Sequence, residues 1–313
     1  MTQTKKILSL LNENGSMTQG KLAEAIYGDK LHGPNIYSAL MTLVNRRRVI
    51  RTGAHPALYS LADGSANEGR RTLSDDSCFV SANIKSVSMS PEEAVRLIRE
   101  YYNETIVDPH GRYLSWVHCY KAFCENRNTT NEETIDHLAL HLAFYLASWG
   151  MYRGSSFLLQ KDYKVHIPVV RIILEEKYNP LLGISAEELQ KKCNLALLNE
   201  ISMRIRRSYA AEQPAFDGTI NNTTNTLVTK ILLGTLGCVP AYDRYYVQSV
   251  KNRGISSGNY NSNSVAAVAR FYCQNIETFE KLRKELSLSE VEYPPMKLMD
   301  MCFWQDANIQ DKT

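Results

Sequence analysis

The sequence predicts a mainly α-helical protein built from two domains. Apolar residues recur every three or four positions over most of the chain, which is the period of a helix with one buried face. Ser, Thr, Asn or Asp stands directly before several of these stretches, at the position that caps a helix. At 313 residues the chain is long for a single domain. A segment rich in Ser, Gly, Asn and Asp, residues 66–89, separates residues 1–65 from residues 90–313 and is interpreted as a linker.

The composition is ordinary for a globular protein. The hydrophobic share is 44% and the charged share 22%. No run of 18 apolar residues occurs, so we expect no membrane span. The N-terminus is too polar for a secretory signal. The seven cysteines are odd in number and form no Cys-x-x-Cys pair, which favours free thiols and a cytoplasmic location.

The net charge of +3 is unevenly distributed along the chain. Residues 1–65 carry eight Lys and Arg against four Asp and Glu, whereas the remainder carries 28 against 29. The basic excess therefore lies in the first domain, and it favours an anionic partner for that domain.

The first domain shows three helical stretches followed by two short strands. A helix is predicted from Lys5 to Asn12, a second one is capped by Thr18 and stopped at Gly28, and Pro34 opens the third. The segments RVIRTG and ALYSLAD are typical of strands around a turn. This order of elements resembles the winged helix-turn-helix family, a resemblance that covers nearly the whole segment.

The winged-helix resemblance implies that double-stranded DNA is a partner. A helix fits the major groove and reads base edges with its exposed face, and cationic side chains neutralise phosphates. The predicted DNA-binding residues are Lys30, Asn35, Ser38, Thr42, Arg46, Arg47, Arg48 and Arg51. The alternative is a protein-contact module, in which Arg46 to Arg48 form only a solvated helix end.

The second domain, residues 90–313, consists of predicted helices. We expect helices from Ser90 to Tyr102, Tyr113 to Asn126, Asn131 to Trp149, His166 to Lys177, Ser185 to Ala211, Ser264 to Tyr272 and Ile276 to Leu286, and a last helix opened by Pro294 that frays after Asp306. His137 and His141 share one helix face, a spacing that can bind zinc. Because no third ligand accompanies them, we expect structural histidines and no metal site.

The segment from Thr224 to Lys251 is the most informative part of the chain. It predicts a buried helix, a Gly-Cys-Val-Pro turn, and a second helix that opens at or near Asp243. Gly234 and Gly237 are poor helix residues, so they serve close packing or the helix end. Pro240 prevents the helix from continuing. By position alone, Asp243 is a capping residue of the second helix.

This arrangement resembles the helix-hairpin-helix DNA glycosylase superfamily over about 30 residues. Pro240, Asp243 and Val247 fall on the Pro, the catalytic Asp and the following helix of that superfamily. The chain departs from the family pattern at residues 221–223, where Asn-Asn-Thr replaces the glycines of the hairpin. The hairpin Lys of the lyase-type members would fall near Asn225, so lyase chemistry from that position is not expected.

The resemblance implies that the protein excises a damaged or modified base from DNA by hydrolysing the N-glycosidic bond. Asp243 would stabilise positive charge on the sugar or orient the attacking water, and neither a metal nor another cofactor is needed. Aromatic rings would stack on the base, and cations would hold phosphate. The predicted substrate-binding residues are Trp149, Tyr152, Arg153, Lys161, Lys230, Tyr242, Tyr245 and Tyr246. Defence against phages with modified DNA is one biological context for such an activity.

A second hypothesis is a winged-helix transcriptional regulator, whose helical half binds a small ligand or dimerises. In that case Asp243 is only a helix cap. A nuclease or toxin is a weaker third hypothesis, because no paired-carboxylate metal motif is evident. A cavity with basic and aromatic walls beside Asp243 would favour the enzyme, and burial of Asp243 as a cap would favour the regulator. The sequence leaves the recognised base and the oligomeric state open.

Overall fold

The structure is a computed structural model that describes residues 3–28, 36, 40, 43–44, 49–52, 58–61, 89–154, 156–212, 223–288 and 291–312. The chain divides into two compact units, Met1–Ala82 and Asn83–Thr313. The boundary between the units falls within the predicted linker, whose residues other than Met89 lie outside the described ones. Helices dominate and sheets are small, so the predicted mainly α class is confirmed.

The first unit combines helices with a three-stranded antiparallel sheet. Its elements are α1 (Gln3–Asn14), β1 (Met17–Thr18), α2 (Gln19–Tyr27), β2 (Val49–Thr52) and β3 (Leu58–Leu61). The strand order is β1-β3-β2, so β3 is the central strand. Tyr59 on β3 pairs with Met17 on one side and Arg51 on the other. Strand β1 was not predicted, because a strand of two residues carries no alternating pattern.

Local capping fixes both ends of helix α2 as the sequence predicts. The Thr18 side chain accepts a hydrogen bond from the Lys21 N–H at 3.3 Å and so begins α2. Gly28 ends α2 with a φ of +88°. Ile36 and Leu40 are helical, as predicted for the third helix, and both are fully buried in the core of this unit.

The second unit contains eleven α-helices among its described residues. They are α3 (Pro91–Val107), α4 (Leu114–Glu125), α5 (Glu132–Ser148), α6 (Ile167–Ile173), α7 (Ala186–Leu189), α8 (Lys192–Ala211), α9 (Asn225–Thr235), α10 (Arg244–Asn252), α11 (Ser262–Gln274), α12 (Ile276–Glu285) and α13 (Pro295–Lys312). Short 3₁₀ segments span Phe157–Gln160, Tyr163–His166 and Glu176–Leu181, and strands β4 (Ser287–Leu288) and β5 (Val291–Glu292) form a hairpin. Throughout the described ranges, each helix is too short or too polar to cross a lipid bilayer.

Several predicted helix boundaries are wrong. The helix expected to end at Tyr102 continues to Val107, and the one expected from Ser185 to Ala211 is two helices, α7 and α8. The helix expected over His166 to Lys177 is the shorter α6, with a 3₁₀ segment on either side, and Pro180 lies inside the second of these segments. The last helix does not fray after Asp306, because α13 packs against α3 and α10 along its length. Ala307 is fully buried and Asn308 nearly so. Tertiary packing therefore keeps the end of α13 helical, although the local sequence predicts that it frays.

Helix α9 lies in the middle of the second unit, and two glycines set its position. A Cβ on Gly234 would lie 2.4 Å from Cε1 of Tyr145, so α9 and α5 are in direct contact at this point. Gly237 ends the helix with a φ of +63°, and a Cβ there would lie 2.4 Å from Cγ of Pro294. The prediction that these glycines serve close packing or the helix end is confirmed, with Gly234 in close packing and Gly237 at the helix end.

Candidate functional site

The turn between α9 and α10 is held by hydrogen bonds to side chains of other helices. The Ala241 N–H donates to Asp300 Oδ1 on α13, and the Tyr242 N–H donates to Thr229 Oγ1 on α9, both at 2.9 Å. The Thr226 hydroxyl donates to the Tyr242 carbonyl, also at 2.9 Å. Since these backbone groups are fixed from two sides, the next residue, Asp243, is presented in one defined geometry.

Asp243 caps helix α10 and also forms an ion pair. Its Oδ1 accepts a hydrogen bond from the Tyr246 N–H, and its Oδ2 lies close to Lys230 Nζ, each at 3.2 Å. The two side chains are largely buried, with 15% of Asp243 and 4% of Lys230 exposed. A carboxylate has about four lone-pair sites, so these two contacts leave Asp243 able to accept further bonds. Capping and a chemical role are therefore compatible in this geometry.

A cavity of about 760 Å³ opens beside Asp243. Its volume lies within the range of roughly 300–1,000 Å³ that is typical of small-molecule sites. Helices α5, α9, α10 and α13 all contribute to its wall, together with the loop after α5. The lining residues are Arg112, Ala147, Ser148, Trp149, Gly150, Met151, Tyr152, Arg153, Thr226, Lys230, Asp243, Arg244, Tyr245, Trp304 and Asn308.

The wall of this cavity is positively charged. Arg112, Arg153, Arg244 and Lys230 are its cationic residues, and Asp243 is the acidic one within the described lining. Arg244 also pairs with Asp311 outside the lining, where both side chains are more than half exposed. A concave wall with a cationic excess concentrates anions, so the cavity is suited to a ligand with negative charge.

Aromatic rings form a second part of the wall. The Trp149 and Trp304 ring centroids are 5.7 Å apart, and those of Tyr245 and Trp304 are 5.4 Å apart, in edge-to-face arrangements. Lys230 Nζ and the Arg112 guanidinium each lie 5.0 Å from the centre of the Trp149 ring. These cation–π contacts hold the two charges against an apolar surface.

A second buried ion pair lies behind Asp243. Lys297 Nζ is 2.9 Å from Asp300 Oδ2, and both side chains are less than 10% exposed. Burial lowers the pKa of Lys297, and the neighbouring Asp300 carboxylate opposes that shift. A small void borders this pair and the pair of Lys230 with Asp243. Lys297 and Asp300 were not among the predicted site residues.

The structure brings six predicted site residues together at the cavity. These are Asp243, Trp149, Tyr152, Arg153, Lys230 and Tyr245. Lys161 does not line the cavity, and its Nζ is 3.9 Å from Glu212 Oε2. Tyr242 and Tyr246 are buried in the core, on the side of the chain that faces away from the cavity. Tyr242 lies in the turn before α10 and its ring centroid is 4.9 Å from that of Tyr246, whereas Tyr245 lies on a different face of α10 from Tyr246.

Sequence reasoning missed several lining residues, chiefly Arg112, Trp304 and Asn308. Trp304 and Asn308 are one turn apart on α13, whose end was predicted to fray after Asp306. The sequence does contain a signal for this part of the wall. Trp304, Asn308 and Asp311 follow helical spacing, which places two polar side chains and a large aromatic ring on one face of α13. Arg112 lies in the short loop before α4 and carries no pattern of its own.

The predicted DNA-binding residues remain untested. Arg51 lies in β2, opposite Tyr59 of β3. Lys30, Asn35, Ser38, Thr42, Arg46, Arg47 and Arg48 lie outside the described residues.

A buried histidine connects the cavity to the core. The hydroxyl oxygen of Tyr152, a residue of the cavity wall, is 2.6 Å from His166 Nε2. The hydroxyl oxygen of Tyr209 is 2.5 Å from His166 Nδ1. His166 is fully buried, and burial lowers its pKa to about 4. Burial also raises the pKa of Tyr152 to about 12. At neutral pH the three hydrogen-bonded side chains, Tyr152, His166 and Tyr209, are therefore uncharged.

Comparison with known proteins gave no match to any family model, curated protein or solved structure. Within the described ranges, His, Cys, Asp and Glu side chains form no group of three that could hold a metal ion.

Removing Lys230 should destabilise the protein far more than removing Arg244. Lys230→Met leaves the Asp243 carboxylate largely buried without its cation, which typically costs about 3 kcal/mol or more. Arg244→Met removes an exposed pair at the same cavity and should cost less than about 1 kcal/mol. Urea denaturation measures both free energies of unfolding, and equal losses would contradict the assignment of a buried pair.

Acidification should weaken the fold through His166. Its folded pKa of about 4 is below the unfolded value of about 6.5, so the unfolded state takes up the proton first. Stability is therefore complete above about pH 6.5 and falls as the pH drops towards 4. Between pH 7 and pH 5 we expect wild type to lose about 2 kcal/mol more than His166→Gln. Parallel pH profiles of the two proteins would rule out this contribution.

Proposed function

We propose that this protein is a DNA glycosylase-like hydrolase that removes a damaged or modified base from duplex DNA. The first unit would bind the duplex as a winged helix, and the cavity beside Asp243 would take the base after it leaves the stack. The observation that supports the proposal best is the position of the Asp243 carboxylate, at a cavity whose other charged residues are cations and whose wall is rich in aromatic rings.

The cavity has the properties that a flipped nucleotide requires. Extracting a base from the helix costs a few kcal/mol and is easiest for an altered base. Aromatic rings such as Trp149, Trp304 and Tyr245 offer contact surface for the base. Arg112 and Arg153 would bind the phosphates on either side of the nucleotide. These contacts would offset the loss of stacking in the duplex.

Asp243 would supply the chemistry. When the N-glycosidic bond breaks, its electron pair leaves with the base and positive charge develops on the sugar. A fixed carboxylate stabilises that charge, and the effect is larger in a cavity that excludes water. Water then forms the new bond to the sugar carbon and releases a proton, which Asp243 would accept, and the departed base would take up a proton from solvent. Lys230 and the Tyr246 N–H would hold the carboxylate in place during these steps.

The first unit supports the DNA-binding part of the proposal. Helices α1 and α2, the helical residues Ile36 and Leu40, and the sheet β1-β3-β2 follow the order of a winged helix. The basic excess of residues 1–65 adds the charge that duplex DNA attracts.

Binding of the full chain to duplex DNA should therefore depend on salt. Replacing Arg46, Arg47 and Arg48 together by Ala should reduce the slope of log K against log salt by about 2 to 3, because each phosphate contact contributes roughly 0.9. Arg99→Ala, which removes the partner of Glu285 in the second unit, is the matched control and should leave the slope unchanged. An unaltered slope in the triple variant would reject the proposed contacts.

A transcriptional regulator is the second candidate. The observation in its favour is that both oxygens of Asp243 already have structural partners, the Tyr246 N–H and Lys230. In this case the cavity would bind an effector, and ligand would change the affinity for an operator without any change to the DNA.

Base release distinguishes the two candidates. We expect wild type to release a base from duplexes that carry modified bases, and Asp243→Asn to lose at least about 100-fold in rate, the usual effect of removing one electrostatic stabiliser. Asn remains a good N-cap, so α10 should persist. The assay separates the released base from the DNA by chromatography.

Asp306→Asn is the control for the loss of a buried carboxylate. Asp306 lies on α13 between Trp304 and Asn308, but it pairs with Arg253 at the end of α10 and does not line the cavity. This variant should keep its activity if it folds. Equal rates for wild type and Asp243→Asn would remove Asp243 from the mechanism, and a complete absence of base release by wild type would favour the regulator.

A further inference from the structure

Two of the four cations at the cavity wall have no acidic partner among the described residues. Lys230 pairs with Asp243, and Arg244 pairs with an acidic residue near the end of α13. Arg112 and Arg153 line the same cavity and are exposed, but neither of them forms an ion pair in the described part of the chain. The wall therefore carries two positive charges that the described residues leave unbalanced.

Packing holds these two guanidinium groups at the wall. The Arg112 guanidinium lies 5.0 Å from the centre of the Trp149 ring and 5.3 Å from that of Tyr113. Arg153 folds back over Gly150, where a Cβ would lie 2.8 Å from Arg153 Nε. Trp149 and Gly150 are consecutive, so both guanidinium groups pack on the turn that follows α5. A cation that is positioned by packing, without a carboxylate, remains available to an anion from outside the protein.

The unbalanced charge indicates which kind of anion fits. A phosphate monoester carries about −1.5 to −2 charges at pH 7 and has three terminal oxygens that accept hydrogen bonds. Guanidinium groups match phosphate oxygens with parallel N–H donors, so a monoester has acceptors for both Arg112 and Arg153. A phosphodiester or a carboxylate carries a single charge and balances only one of them. A nucleotide within a DNA strand reaches the same total charge with the two phosphodiesters that flank it.

Aromatic side chains with accessible surface form the rest of the wall. Trp149, Tyr152 and Tyr245 are half-buried, whereas Trp304 is buried. Ring surface of this kind contacts any flat heterocycle, because every base has a π-face. The cavity volume of about 760 Å³ is sufficient for a small molecule. A flat ring that a sugar joins to a phosphate would use both the rings and the cations of the wall.

We propose that the cavity binds free nucleoside monophosphates and that these compete with DNA for it. The inference goes beyond the proposed function, since its ligand belongs to no strand and its binding requires no reaction. A free monophosphate carries both negative charges on one group, whereas a nucleotide of DNA divides them between two. Because both ligands need Arg112, Arg153 and the same rings, the cavity holds one of them at a time.

Isothermal titration calorimetry on the full chain measures binding of the small molecules. The probes are 2′-deoxyadenosine 5′-monophosphate, its methyl ester, 2′-deoxyadenosine and inorganic phosphate. We expect the monophosphate to bind at least about tenfold more tightly than 2′-deoxyadenosine or inorganic phosphate, because it alone combines the ring with charge-assisted hydrogen bonds. The methyl ester keeps the ring and carries a single charge, so its dissociation constant should lie between those of the monophosphate and 2′-deoxyadenosine.

Two variants assign the binding to the unbalanced cations. Arg112→Gln and Arg153→Gln each remove one positive charge from an exposed side chain, so both proteins should fold. Each should weaken binding of the monophosphate by at least about tenfold and leave binding of 2′-deoxyadenosine unchanged. Arg99→Gln is the matched control, because it removes the same charge from an arginine that pairs with Glu285 and does not line the cavity. Thermal melting confirms that each variant is folded.

Competition is measured with a fluorescent duplex that carries one unpaired nucleotide. We expect the monophosphate to displace the preference of the full chain for this duplex over a fully paired one, at concentrations near its own dissociation constant. Binding of the fully paired duplex, which does not enter the cavity, should be unaffected. Fluorescence anisotropy reports both affinities.

The outcomes separate this inference from the proposed function. If 2′-deoxyadenosine, the methyl ester or inorganic phosphate binds as tightly as the monophosphate, the nucleotide site is overturned. Equal losses in Arg99→Gln and the two cavity variants would reject the assignment to Arg112 and Arg153. Monophosphate binding without base release from DNA would uphold the site and reject the glycosylase chemistry, and base release without monophosphate binding would do the reverse. A duplex preference that is absent, or that the monophosphate leaves unchanged, would overturn the competition.

Discussion

The ion pair between Lys230 and Asp243 is the interaction on which the site depends. Moving two charges out of water costs several kcal/mol per ion, and their attraction offsets this only with good geometry and further hydrogen bonds. The structure supplies both, since Oδ1 accepts from the Tyr246 N–H and Lys230 Nζ lies over the Trp149 ring. Replacing a buried ion pair by well-packed apolar residues is often neutral or stabilising. The presence of charges beside an open cavity therefore agrees with a chemical role.

The same geometry explains why capping and catalysis do not exclude each other here. A helix N-terminus gathers unpaired N–H groups and a partial positive charge, and these orient a carboxylate without neutralising it. The turn before Asp243 is fixed by Thr229 and Asp300, so little rearrangement would be needed when charge develops nearby. Preorganisation of this kind is what distinguishes an electrostatic catalyst from a solvated acid.

The sequence predicts the features that local chemistry decides. Thr18, Ser90, Asn131 and Ser185 cap helices as expected, because each cap involves residues three positions apart. Asp243 was placed at a helix start for the same reason. The walls of the cavity were predicted less well, since Trp149, Trp304 and Tyr245 meet only through packing of distant helices. The period of a helix could have separated Tyr245 from the buried Tyr246, but only with the start of α10 known.

The contact between Gly234 and the Tyr145 ring sets the distance between two walls of the cavity. Helix α9 carries Lys230 on one wall, and α5 ends directly before Trp149 on the other. A larger residue at position 234 would separate these helices unless the ring at position 145 became smaller. In relatives of this protein the two positions should consequently vary as a pair, with glycine accompanying an aromatic residue. Such covariation would trace the ancestry of the cavity even where the residues that line it have changed.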